Sequence, residues 1–141
     1  MVGVRNVLIV ANQTLAGEPL LNAVKERLEA GECHFHVVVP ATPSQTDGAA
    51  QTPERAYALA SQRLGRALAD ISKAGSEAAG EVGDPEPLEA VRLSLEREKP
   101  DEIIVSTLPL GRSRWLRRDL PTQLRNLTGL PVTHVVEQPR A

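Results

Sequence analysis

Gly83-Asp84-Pro85, Asp101-Glu102-Ile103-Ile104-Val105-Ser106-Thr107 and Leu130-Pro131-Val132-Thr133-His134-Val135-Val136 punctuate the stretch whose reading decides the fold. Between the first two lies an amphipathic segment with Leu88, Val91 and Leu95 on one stripe, broken by Pro100. Asp84 is read as its N-cap, with Pro85 in the first turn. Between the second and third lie an arginine-rich connection and a helix from about Asp119 to Thr128, burying Leu120, Leu124 and Leu127 and ended by Gly129. Two aliphatic strands joined through a helix form a β-α-β crossover, and such a crossover makes its strands parallel.

Working outward, Val7-Leu8-Ile9-Val10-Ala11 is a continuous aliphatic run, as in a strand covered on both faces. A helix follows over Gly17 to Ala30, with Leu21, Val24 and Leu28 inward and Pro19 in its first turn. Phe35-His36-Val37-Val38-Val39 is a second strand, stopped by Pro40. Residues 40–52 are rich in Pro, Thr, Gln and Ala and are read as a mobile loop that could act as a lid. Thr52 then caps a long helix with Pro53 at its first position, and Ala60, Leu64, Leu68 and Ile71 share a face as far as Gly75. Glu77 to Val82 is the weakest strand and belongs at an edge. The order β-α-β-α-β-α-β-α-β predicts one doubly wound α/β domain over residues 1–141, a five-stranded parallel sheet with helices on both faces. Such sheets bind ligands at the carboxyl ends of their strands, where the winding reverses.

Composition narrows the function. Sixteen basic against eighteen acidic side chains, net −2, give no general attraction to nucleic acid. Three aromatics, Phe35, Tyr57 and Trp115, are too few for a base-stacking platform. No apolar run approaches the roughly 20 residues that span a bilayer, and the N-terminus opens directly into a strand-like run without signal-peptide features. A lone Cys33 suits a reducing compartment, so a cytoplasmic location without membrane partners is expected.

Taken together, the element order, Gly83-Asp84-Pro85, Asp101 to Thr107, and Gly129-Leu130-Pro131-Val132 leading to the last strand resemble the universal stress protein family over nearly the whole chain. The resemblance implies a sheet order of 3-2-1-4-5, with the reversal between the first and fourth strands. It also implies a nucleotide site. ATP-binding members carry an Asp after the first strand, on the sugar and base side, a Gly-x-x-Gly after the fourth strand, and a later Gly-Ser or Gly-Thr opening the last helix. Here the Asp position is Asn12, the two glycines are Ser106 and Pro109, and the later pair is Asp119 and Leu120. Asn12 keeps hydrogen-bonding capacity without charge. Pro109 has no N–H for a phosphate. Asp119 puts a carboxylate where an anion would sit, capping its own helix. The usual triphosphate cradle is absent, and the family's ATP motif is degenerate here.

Arg112, Arg114, Arg117 and Arg118 crowd the connection that would border the crevice. Guanidinium forks hold phosphate without backbone glycines, so an altered anion site is one reading; a solvated basic face paired with carboxylates such as Asp119 is the other. Trp115 among them is read as core under the loop or as an anchor for a partner. Ser106, Thr107 and Thr14 fall at carboxyl ends, with no histidine expected beside them, so no catalytic triad is read. His34 and His36 share a strand face at the opposite end and are read as ordinary half-buried histidines; Cys33 is read as a buried inert thiol.

The expectation is a non-enzymatic regulatory module with an altered nucleotide or anion crevice, slow nucleotide hydrolysis being left open. Its contacts would be Asn12, Thr14, the Val39 backbone, Ser106, Thr107, Arg112 and Arg114, and its ligand an adenine nucleotide or another small anion. The alternative is a protein-interaction module without nucleotide binding, using the arginine loop and Trp115. The last strand should be an edge, and the resemblance suggests that a second copy covers it, giving a homodimer.

Overall fold

The computed structural model describes residues 3–15, 17–43, 45–46, 49–108 and 119–137. In chain order the elements are β1 (Arg5–Val10), α1 (Glu18–Ala30), β2 (Cys33–Pro40), β3 (Gln45–Thr46), β4 (Ala49–Ala50), α2 (Pro53–Lys73), β5 (Glu77–Gly83), α3 (Pro87–Ser94), β6 (Glu102–Thr107), α4 (Leu120–Thr128) and β7 (Val132–Val136). Five of the strands form one parallel sheet, ordered β5-β2-β1-β6-β7. Numbered within that sheet, this is 3-2-1-4-5, the expected winding.

The alternation of side chains along the central strands builds two cores. Val7, Ile9, Ala11 and Ile104 face α1 and α2, where they meet Leu20, Val24, Ala60 and Ile71. Leu8, Val10, Ile103 and Val105 face α3 and α4, where they meet Val91, Leu120 and Leu124. The central aliphatics are fully buried, each stabilising the fold by about 1.5–3 kcal/mol, and they fix the register because a one-residue slip would exchange the two faces. In α1 the deepest residues are Leu20, Ala23 and Val24, one position round from the stripe read in the sequence.

Three local expectations are corrected. Within residues 40–52, β3 and β4 pair antiparallel, Gln45 with Ala50 and Thr46 with Ala49, so the stretch contains a short hairpin that its low-complexity composition conceals. Asp84 does not cap α3. It accepts from the Glu86 N–H at 2.9 Å, shaping a turn, and the helix starts at Pro87 with Glu86 in the cap position. Asp119 stands at the N-cap of α4 but in a left-handed conformation (φ 51°), and its side chain makes no capping hydrogen bond. Thr52 caps α2 as expected, accepting from the Arg55 N–H at 3.1 Å.

At the amino ends of the strands, Glu102 is buried and salt-bridged to both Arg5 and Arg27, the latter at 3.1 Å. Arg27 also donates to Thr133 at 3.0 Å, so one carboxylate ties β1, α1, β6 and β7 together.

Candidate functional site

The winding reverses between β1 and β6, and the segment after β1 crosses the mouth of that fork. Its turn is held locally, by the Leu15 N–H on the Asn12 carbonyl at 3.2 Å and the Gly17 N–H on the Thr14 carbonyl at 2.9 Å. Across the fork, the Thr14 and Ser106 hydroxyls lie 2.6 Å apart, both residues buried. Two residues widely separated in sequence thus join the ends of the two strands at the rim. Val39 lies inside β2, one residue before its end, with its side chain in the core, so only its backbone can serve a ligand. Arg112, Arg114, Trp115, Arg117, Arg118 and Pro109 lie outside the described residues.

Asn12 is buried and committed on both sides. Its Nδ2 donates to the Pro40 carbonyl at 2.8 Å, and its Oδ1 accepts from Arg63 Nη1 at 2.7 Å. Arg63 is the functional candidate that reading the sequence missed. It lies on α2 three residues after Ala60 and four before Ala67, on the face that Ala56, Ala60, Ala67 and Ile71 bury against the sheet. The signal was there: an arginine interrupts a small-residue stripe, where short alanines leave room for a long stem. Burial pushes its guanidinium below the ordinary arginine range, because a cation leaves water without a carboxylate to compensate it. Among the described residues it makes no ion pair.

Thr107 faces the other side of the sheet. Its Oγ1 lies 2.8 Å from His134 Nε2, which corrects the expectation that no histidine stands near the strand ends. The cause is register: Val105 pairs with His134, and the imidazole reaches along the same face to Thr107. Burial lowers the His134 pKa most, nearby Arg125 lowers it further, and Asp119 opposes both. A hydroxyl beside an imidazole has the elements of a nucleophile and base, but Thr107 is buried and the pair lies on the face of the sheet opposite the Thr14–Ser106 rim.

The remaining candidates are structural. Cys33 is buried, and burial raises its thiol pKa, as in an unreactive cysteine. His34 is exposed, 3.6 Å from Glu77. His36 is half-buried between Glu81 at 2.8 Å and Glu98 at 3.3 Å. Among the described residues no group of three or more histidine, cysteine or acidic side chains could hold a metal ion.

Solved structures share this architecture. A universal stress protein from Archaeoglobus fulgidus superposes with a TM-score of 0.64 at 13% identity over 93% of each chain. A universal stress protein from the same organism, in complex with dAMP, gives 0.61 at 16% identity over 96% of this chain and 99% of that one. A universal stress protein family protein from Arabidopsis thaliana with AMP bound gives 0.64 at 12% identity over 95% and 92%. Neither a family model nor a curated protein matches the chain. At these identities the likeness is one of fold: the chain has the universal stress protein fold, as the resemblance in its sequence implied.

Proposed function

We propose that this chain is a non-enzymatic regulatory module of the universal stress protein type, whose crevice takes a small anion, an adenine nucleotide or a related compound, without the usual triphosphate cradle. The observation that carries this reading is the cluster at the fork of β1 and β6. There Asn12 is joined to Arg63 and Thr14 to Ser106, so polar groups and a cation gather where doubly wound sheets take ligands. The Thr14–Ser106 pair commits one of its two hydroxyl protons to itself and keeps the other for an acceptor. The Val39 backbone, with Arg112 and Arg114 from the following connection, is proposed to complete the lining; Thr107, expected there from the sequence, is turned to the opposite face and paired with His134, and is left out of it. Solved neighbours carry dAMP and AMP, which supports a nucleotide-sized ligand.

Isothermal calorimetry with ATP, ADP, AMP and cyclic nucleotides tests the reading. Heat from AMP or a cyclic nucleotide, with ATP weaker, is the expected result; no heat from any of them with folded protein at high concentration removes it. A homodimer through β7 is proposed as well, because every residue of that edge strand is only half-buried. A monomeric mass by light scattering refutes that part. No helix among the described residues is long and apolar enough to cross a membrane, and a cytoplasmic setting is proposed.

A further inference from the structure

Arg63 demands more than it receives. A guanidinium carries five N–H donors, and among the described residues the only partner of Arg63 is Asn12 Oδ1, at 2.7 Å. It is half-buried on the sheet-facing side of α2, where desolvating a charge is costly unless something compensates it. Asn12 orients this cation without neutralising it. The Pro40 carbonyl receives the Asn12 amide N–H and so points the amide oxygen at Arg63; the relay runs from backbone to amide to guanidinium. Among the described residues every acceptor in it is neutral, so none of them compensates the positive charge at the β1–β2 end of the crevice.

We propose, resting on the anion-site reading above, that Arg63 anchors a phosphomonoester beside Asn12, at the β1–β2 end of the crevice. The unused N–H groups of Arg63 form a planar fork that fits phosphate oxygens pairwise. A carboxylate would occupy two of those donors with one negative charge; a phosphomonoester offers three terminal oxygens and between one and a half and two charges. Asn12 acts as the positioning residue, and its neutrality is part of the site. A carboxylate at position 12 would pair with Arg63 and cancel the attraction.

Calorimetry with wild type, Arg63→Gln and Asn12→Asp, titrated with AMP, ribose 5-phosphate and adenosine at one ionic strength, decides the matter. Wild type is expected to bind AMP and ribose 5-phosphate and to bind adenosine at least about tenfold more weakly. Each substitution should cost at least about tenfold in AMP affinity, Arg63→Gln by removing the fork and Asn12→Asp by occupying it. Asn12→Asp keeps Arg63 in place and serves if Arg63→Gln does not fold. Adenosine binding as tight as AMP, or an Asn12→Asp variant that binds AMP more tightly, overturns the assignment. Wild-type binding that ignores both substitutions removes Arg63 alone and leaves the crevice as a binding site. Wild-type silence toward all three compounds removes both.

Discussion

Replacing Thr14 by Val and Ser106 by Ala, singly and together, tests whether the rim of the crevice is a coupled unit. The two hydroxyls are 2.6 Å apart and both residues are 2% exposed, so each is the partner the other needs inside the protein. Ser106→Ala strands the Thr14 hydroxyl in a site with little water. The stranded group costs about 1–3 kcal/mol, so the single variant should lose near 2 kcal/mol. Thr14→Val keeps the branched shape, so its backbone preference is unchanged, and it strands Ser106 in the same way. The double variant removes donor and acceptor together and should cost only about 1 kcal/mol. The singles then sum to about 4 kcal/mol against about 1 kcal/mol for the double, a coupling of roughly 3 kcal/mol, at the upper end of what contacting residues show. Urea denaturation followed by circular dichroism reads each value, with unchanged slopes confirming that stability alone has moved. Additive singles, or singles each costing less than about 0.5 kcal/mol, refute the reasoning. In that case Thr14 and Ser106 would be independent rim groups, and the strand ends would be held by backbone alone.

Other expectations concern the strand ends, the β5 edge and His134. Glu102→Ala should destabilise by about 2–3 kcal/mol, less than a fully buried pair would cost because Arg5 is 49% exposed, and urea midpoints measure it. A loss below about 0.5 kcal/mol would mean that the two arginines find water. Gly80→Ala should cost about 1–3 kcal/mol in the same assay, since the added methyl would sit 2.6 Å from the Val37 carbonyl oxygen, which is backbone and cannot yield. An unaltered midpoint would show that β5 can shift away from β2. His134 has a lowered folded pKa, so the unfolded chain binds more protons: its contribution is complete above the ordinary histidine value of about 6.5 and declines as pH falls through it, levelling below the folded value. Midpoints from pH 5 to 8 should therefore slope less steeply in His134→Gln than in wild type; parallel slopes count against it.

The fold was legible because its signals are local and redundant. Each central strand is an unbroken aliphatic run, each helix has a stripe, and Thr52-Pro53 and Gly129 mark ends with chemistry that few other contexts require. The crevice was half legible. Asn12, Thr14 and Ser106 could be placed at a common rim because topology alone brings strand ends together. Their partners could not be, since a hydrogen bond depends on where a side chain from another element arrives. Thr107 and His134 meet through the register of β6 on β7, which no spacing in sequence encodes. Asp84 and Asp119 were read as caps because Asp before a helix usually is one; the backbone at each takes another path, a turn at Asp84 and a left-handed residue at Asp119.

Asn12 and Arg63 are intelligible only as a pair. With a leucine at 63, the Asn12 carbonyl oxygen would lose its partner in a buried site, at about 1–3 kcal/mol. With an aspartate at 12, Arg63 would be neutralised, and the rim would become an internal ion pair with nothing to offer a ligand. Satisfying Asn12 is not sufficient reason for an arginine, because a glutamine on the same helical turn could donate one N–H without desolvating a charge. The excess lies in the charge and in the donors that face no carboxylate among the described residues, and those residues do not repay it. An anion in the crevice would. A carboxylate at position 12 would therefore work against Arg63, because it would fill the fork that the neutral amide leaves open.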